Sequence, residues 1–440
     1  MPDSLLDRFL DAAGVSTDTR TVRRGELFFA LRGPSFDGNR YAAEALARGA
    51  SRAVVDDPAA ATDERYVLVD DALAALQRLA RDYRRTLTAP VVALTGSNGK
   101  TTTKELVHAA LATTYRTHAT AGNLNNHIGV PLTLLGAPRD AEVVVVEMGA
   151  NHRREIAAYC RIAEPTHGLI TNIGRAHLEG FGGVEGVRIG KGELFDYLAA
   201  SGGHAFVDVD DAEVAAIAAR VPSRLAYGTT ADPAGGRLAG QVVTGHLRRA
   251  YPGLACSLAT RAGTAEVACR LPGDYNYRNL LAAAAVATYF EVPLERARAA
   301  FEAYAPSASR SEVRSFNGST LLFDAYNANP DSVAAALGWL ASRPERRKLA
   351  VLGELRELGA AAETAHAEAV ARALAIEGCE VAVLGEAFGA SAADRRLRRF
   401  DDVAGLREWL LAHTGDADVV ALVKGSRANR LERLLEGAAS

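Results

Sequence analysis

Cysteine is scarce in this chain of 440 residues: Cys160, Cys256, Cys269 and Cys379 stand far apart, with no Cys-x-x-Cys spacing and no histidine pairs at zinc-finger distances. That pattern excludes a disulfide scaffold and a structural zinc site, and predicts reduced, mostly buried thiols. An excess of either charge is also missing. Fifty basic against 53 acidic residues give a net charge of −3, so no global positive field exists to hold nucleic acid or an anionic membrane. Any anion must be bound locally. No stretch approaches the ~20 apolar residues of a membrane span, and the first residues lack a basic region followed by an apolar core. Internal repeats and low-complexity tracts are absent. These absences predict a cytoplasmic protein with ordinary globular domains.

What is present is a phosphate cradle. In residues 91–103 an apolar run fit for a buried strand stops at Gly96-Ser97-Asn98-Gly99, and Lys100-Thr101-Thr102-Thr103 then opens a helix. Gly96 and Gly99 let main-chain N–H groups approach an anion, and the helix N-terminus adds its positive end. Lys100 can reach the outer phosphates, and the Thr101 hydroxyl can ligate Mg²⁺. The general nucleotide loop places a glycine where this chain has Leu94, so Thr-Gly-Ser-Asn-Gly-Lys-Thr is a variant and more diagnostic than the general form. A plain strand-to-helix turn would need the small residues but not Lys and Thr in this register.

The length suggests about three domains. Residues 1–88 read as a small α/β unit, with strands at 27–31 and 53–55 and an exit helix at 73–85. Residues 89–304 hold the nucleotide strand and further strand patterns at 143–147, 169–172 and 205–208, with helical patterns between most of them. Such alternation implies a mainly parallel sheet whose functional side lies beyond the carboxyl ends of the strands, where Glu147, Asn172 and the phosphate loop fall. Residues 223–272 loosen into Gly-rich alternating segments that suggest an antiparallel appendage. Helical periodicity returns at 279–289 and 294–304, and the small residues around Pro306 look like a hinge. In residues 305–440, strand patterns at 321–324, 349–352, 381–384 and 419–423 alternate with helices and predict a Rossmann-like third domain.

Glu147 ends a four-valine strand in the same predicted sheet as the phosphate loop. A carboxylate there is placed to hold the magnesium of a nucleotide. His177 follows the 169–172 strand in a Gly-rich loop, and Gly190-Lys191-Gly192 comes shortly after. A bare ammonium would repel Mg²⁺, so Lys191 is either no ligand at all or a lysine carbamylated by CO₂ into an anionic one. Near the start, Asp18-Thr19-Arg20, Gly25-Glu26-Leu27-Phe28 and Phe36-Asp37-Gly38-Asn39 gather polar groups beside glycines, which shapes turns and would equally suit a sugar nucleotide.

Taken together, these segments resemble the Mur ligases, the ATP-dependent amide ligases of peptidoglycan precursor synthesis. The amino-terminal pattern looks like the family's UDP-binding domain, although Asn39 stands where a histidine is more usual. Residues 95–103 match its ATP loop, and Gly122-Asn123-Leu124-Asn125-Asn126-His127-Ile128-Gly129-Val130-Pro131 matches a central-domain signature that lines the active site. The resemblance implies ATP bound by Gly96, Ser97, Asn98, Gly99, Lys100, Thr101 and Thr102, with Asn276 and Asn279 beside adenine and Arg310 and Asp324 contributed by the last domain. It also implies two Mg²⁺ ions, one on Thr101 and Glu147 and one on His177 and carbamylated Lys191. Thr19, Arg20, Asp37, Gly38, Asn125, Asn126, Tyr326, Asn327 and Asn329 would bind substrate. Tyr326-Asn327-Ala328-Asn329-Pro330 resembles the members that add D-alanyl-D-alanine to a UDP-N-acetylmuramoyl-tripeptide, whereas the preceding ligase carries an Asp-Asn-Pro-Arg motif absent here. Small-molecule substrates, no nucleic acid, no membrane insertion and a monomer are expected. The rivals are another ligase of the superfamily, such as a folylpolyglutamate synthase, against which the Asp37-Gly38 domain argues, and a phosphate-loop ATPase switch.

Overall fold

Valine-rich and leucine-rich strands, buried on both faces, demand helices above and below them. The computed structural model shows that arrangement in three main sheets, and describes residues 4–229, 241–306, 310–389 and 394–436. The first sheet is four-stranded and parallel, in the order Val15–Ser16, Leu27–Phe29, Arg52–Val55, Tyr66–Leu68. A separate hairpin, Arg32–Gly33 with Phe36–Asp37, stands beside it. The exit helix Ala72–Arg84 is capped by Asp71, whose side chain accepts from the N–H of Ala74.

The central sheet has nine strands. From one edge the order is Thr117–Ala119, Val143–Glu147, Val91–Thr95, His167–Ile170, His204–Asp208, Ser223–Thr229, Gln241–Arg249, Ala255–Thr260 and Gly263–Ala268. Pairing is parallel as far as Gln241–Arg249 and antiparallel beyond it. The expected appendage at 223–272 is therefore corrected: Ser223–Thr229 pairs in parallel with His204–Asp208, Gln241–Arg249 pairs in parallel with Ser223–Thr229, and only Ala255–Thr260 and Gly263–Ala268 run antiparallel. Its alternating pattern comes from lying near the sheet edge, where one face is less covered. Residues 230–240, in the middle of this stretch, lie outside the described residues, as do 307–309 of the expected hinge.

The third sheet has six strands in the order Glu312–Phe316, Ser319–Asp324, Val419–Lys424, Arg347–Gly353, Cys379–Leu384, Leu397–Phe400, parallel except for the first pair. The two junctions between sheets differ in chemistry. Helix Ala72–Arg84 shares one apolar core with Val130, Leu134 and Ile156 of the central unit, and its Tyr83 hydroxyl donates to the Ala137 carbonyl at 2.7 Å. The central and third units meet mainly through polar side chains, across a cleft.

Candidate active site

The cleft is a cavity of about 760 Å³ lined by both units. On the central wall the buried strand Val91–Thr95 delivers the phosphate loop to the carboxyl edge of the sheet, and helix Lys100–Leu111 leaves it. Two glycines are compelled by contacts. A Cβ on Gly96 would lie 2.0 Å from Thr171 Oγ1, and one on Gly99 would lie 2.3 Å from Asn279 Oδ1, with both glycines at positive φ. The neighbouring strand end holds the loop in place: the Asn98 N–H donates to Asn172 Oδ1 at 2.9 Å, and the Asn98 carbonyl accepts from Thr171 Oγ1 and Asn172 Nδ2. Lys100 Nζ donates to the Gly96 carbonyl at 2.7 Å. Burial pushes the Lys100 amine below its usual range, the Glu147 carboxylate opposes that shift, and the Arg310 guanidinium adds to it.

Glu147 is 1 % exposed at the end of Val143–Glu147. Its Oε1 accepts from Thr101 Oγ1 at 3.1 Å and from Asn125 Nδ2 at 2.7 Å, while its Oε2 is buried without a partner. An orphaned carboxylate oxygen beside a threonine hydroxyl and a phosphate loop is a donor set that fits Mg²⁺ completed by water and phosphate oxygens. The second expected set is not assembled in the same way. His177, in left-handed backbone at the start of the short helix Leu178–Phe181, pairs through Nδ1 with Glu357 of the third unit, and it lines the cavity. Lys191 sits in the middle of helix Val184–Ser201, wholly buried, and donates to the Ala150 carbonyl at 2.9 Å beneath the Phe181 ring. Burial, and then the charge of Lys100, push its amine well below the usual lysine range. Among the described residues no three His, Cys, Asp or Glu side chains converge on a metal-sized site.

Asn276 and Asn279 are on helix Asp274–Tyr289, which packs against helix Lys100–Leu111 and brings both to the cavity wall. Thr103 Oγ1 donates to Asn279 Oδ1 at 3.1 Å, Asn279 Nδ2 to Asn276 Oδ1 at 3.0 Å, and Asn276 Nδ2 to the Pro272 carbonyl at 2.7 Å. The opposite wall comes from the third unit. Lys424, 2 % exposed, pairs with Asp324 Oδ2 at 2.8 Å and donates to the Asn327 carbonyl at 2.8 Å. Asn329 caps helix Pro330–Ala341 and exchanges side-chain amide hydrogen bonds with Asn98 at 2.8 and 3.4 Å, which joins the phosphate loop directly to the opposite wall.

Family models match this chain in three consecutive stretches: the Mur ligase family catalytic domain over residues 11–84, the Mur ligase middle domain over 94–287 and the Mur ligase glutamate ligase domain over 309–427. The UDP-N-acetylmuramoyl-tripeptide–D-alanyl-D-alanine ligase of Escherichia coli (strain K12) is 36% identical over 434 residues, 98% of this chain and 94% of that protein. The chain belongs to the Mur ligase family. It is thus an ATP-dependent amide ligase of peptidoglycan precursor synthesis. Crystal structures agree with the fold of this Mur ligase. MurF from Acinetobacter baumannii matches with a TM-score of 0.84 at 30% identity, covering 96% of this chain and 92% of that one. MurF ligase from Thermotoga maritima, in complex with ADP, matches with 0.84 at 26% identity, covering 97% of each.

The cavity of this Mur ligase gathers Ser97, Asn98, Gly99, Lys100, Thr101, Thr102, Asn125, Asn126, Glu147, His177, Asn276, Asn279, Arg310, Asp324, Tyr326, Asn327 and Asn329, all named from the sequence. Lys191 lies behind its wall. Thr19, Arg20, Asp37 and Gly38 are elsewhere, on the first unit. Arg20 pairs with Asp18 at 2.6 Å, which brings the Asp18 carboxyl down to about 2. Asp37 caps the short turn Gly38–Tyr41, and Asn39 Nδ2 bridges it to Asp56 at 2.8 Å to each. Asn39 thereby ties two carboxylates together, a job its amide does without a charge. Sequence reasoning missed Lys424, Arg175 and Asp331. The Arg175 N–H and Nε grip both oxygens of Asp331 at 2.6 and 2.9 Å, and its Nη1 reaches Glu368 at 3.0 Å. No local pattern could show these pairs: the partners of Arg175 lie over a hundred residues away in the other unit, and Asp324 meets Lys424 only because their strands are neighbours in the third sheet.

Proposed function

We propose that this chain joins D-alanyl-D-alanine to the terminal carboxyl of a UDP-N-acetylmuramoyl-tripeptide in the cytoplasm, as a monomer, with cleavage of ATP to ADP. The observation that carries the reading is the cavity itself, in which the ATP loop and the Tyr326-Asn327-Ala328-Asn329-Pro330 segment face one another and touch through Asn98 and Asn329. Relatives of that name are similar along nearly the whole chain.

In this reading the tripeptide carboxylate attacks the γ-phosphorus, ADP leaves, and an acyl phosphate results. The dipeptide amine then attacks the acyl carbon and phosphate departs with the C–O electrons. The obstacle is electrostatic, since an anion must approach a polyanion. Lys100 and Arg310 supply positive charge from the cavity walls, where charge held near low-dielectric protein is worth more than in solution. Thr101 and Glu147 would hold Mg²⁺, which supplies further charge stabilisation when bound. Asn125 keeps Glu147 turned so that Oε2 stays free. We assign Asn276 and Asn279 to the adenine end, and Asp324, Asn327 and Asn329 to the closing wall. Residues 1–88, with Thr19, Arg20, Asp37 and Gly38, take the UDP sugar; residues 89–304 take ATP; residues 305–440 present the dipeptide. A second Mg²⁺ would take His177 and Lys191 as ligands. The depressed amine of Lys191 supports carbamylation, because CO₂ adds to neutral amines, forming N–C and releasing a proton.

The test is phosphate release with D-alanyl-D-alanine and each UDP-tripeptide, bearing meso-diaminopimelate or lysine, in turn. Release that requires both substrates is expected. Equal release from ATP alone would mark an ATPase switch, and release with folate and glutamate would mark the folylpolyglutamate reading.

A further inference from the structure

Among the described residues no carboxylate forms an ion pair with Arg310, yet the guanidinium lines the cavity and its charge is felt by Lys100. Its neighbour is aromatic: the guanidinium carbon lies 3.6 Å from the centre of the Tyr326 ring, close enough for flat stacking, and Arg427 approaches the same ring at 5.5 Å. Stacking on an aromatic face fixes the plane of a guanidinium while leaving its in-plane N–H donors and its full charge available. A carboxylate partner would have consumed both.

The platform and the cation are each held from behind. Asp324 and Lys424 are register partners on adjacent parallel strands, and Lys424 donates to the Asn327 carbonyl, so the turn that carries Tyr326 is pinned at both ends. Ser311, which follows Arg310, has φ of 49°, a conformation disfavoured for any residue with a Cβ. It is kept there by its N–H donating to Asp324 Oδ1 at 3.0 Å and by a hydroxyl contact with Tyr275 at 2.9 Å. Strain that persists because its surroundings over-determine it is a mark of a functional position.

We propose that Tyr326 is a positioning residue for the phosphates, acting through Arg310, rather than a contact for the incoming dipeptide. The inference rests on the nucleotide reading of the cavity. It differs from what the sequence motif implied for Tyr326.

The experiment uses the full chain and the magnesium complex of a non-hydrolysable ATP analogue, with affinity read by calorimetry and KM measured for each substrate. Tyr326→Leu, which removes the ring, should weaken the analogue about tenfold, the change that about 1.4 kcal/mol represents, and lower kcat while dipeptide KM stays within about twofold. Tyr326→Phe should restore what Leu loses. In an Arg310→Ala background Tyr326→Leu should change analogue affinity less than about twofold, because the two residues act as one unit. Arg310→Lys, which keeps the charge and loses the plane, should reproduce the Leu phenotype and serves even if Tyr326→Leu does not fold. Additive losses in the double variant, or a rise in dipeptide KM with unchanged analogue affinity, would overturn the inference. A chain that binds the analogue but joins no dipeptide would instead overturn the ligase reading, and the affinity ratios would still decide the role of Tyr326.

Discussion

The two junctions of this protein are built from opposite materials. Where helix Ala72–Arg84 meets the central unit, Leu76, Leu79 and Tyr83 are buried in a core shared with Val130, Leu134 and Ile156. Where the central unit meets the third, the contacts are Arg175 with Asp331 and Glu368, His177 with Glu357, Asn98 with Asn329 and Tyr275 with Ser311, with Leu178 and Tyr251 as apolar exceptions. Parting the first junction would expose apolar surface to water at about 25 cal/mol per Å². Parting the second exchanges protein hydrogen bonds for water ones, at little net cost each. The first junction is therefore a fixed joint. The second could part at far lower cost, and the cavity lies in it, which would suit the proposed acyl phosphate, an intermediate that must be kept from water.

Substitutions between the junctions should show the largest effects, on chemistry alone. Lys100→Ala and Glu147→Ala are each expected to lower kcat by a factor on the order of a thousand or more while leaving circular dichroism and thermal unfolding unchanged; near-normal turnover by either would remove it from the catalytic set. Lys191→Ala should be comparably inactive and partly recovered by added short carboxylic acids, which can occupy the space of a carbamate. No recovery with acetate or propionate would count against carbamylation. At the fixed joint the effect should move from rate to stability. Leu79→Ala, at a position 2 % exposed, should cost about 2–5 kcal/mol in unfolding free energy, with kcat per folded molecule little changed, as read by denaturant titration alongside assays. At the opening joint the pattern should reverse. Arg175→Gln, half-exposed and screened by solvent, should leave unfolding within about 0.5–1 kcal/mol but raise substrate KM several-fold, an effect that shrinks with added salt. Equal behaviour of Leu79→Ala and Arg175→Gln would erase the distinction between the joints.

How much of this was readable in the residues follows the same division. Local signals carried the walls of the site: the strand that stops at Gly96, Glu147 closing the four-valine run, and Asn279 opening a helical pattern all lie where their neighbours in sequence put them, although the helix begins earlier, at Asp274, and includes Asn276. The three-sheet architecture followed from alternation of strand and helix. What could not be read depended on distant partners. Gly190 and Gly192 hid Lys191 inside helix Val184–Ser201; Gly190 is small because the Phe181 ring lies 2.4 Å from where its Cβ would be. The reasons for Gly96 and Gly99 also lie in Thr171 and Asn279, not only in room for an anion. Asn125 was legible as a cavity residue, but that its amide also holds Glu147 was not. The parallel pairing of Ser223–Thr229 rests on His204–Asp208, a register that no local pattern encodes.

The central claim is that the cavity turns a peptide carboxylate into an acyl phosphate. It is tested most directly by following heavy oxygen from the terminal carboxylate of the UDP-tripeptide during turnover with ATP and D-alanyl-D-alanine. Mass analysis of the released phosphate should find one labelled oxygen per turnover. Phosphate that carries no label, with the dipeptide joined all the same, would contradict the account.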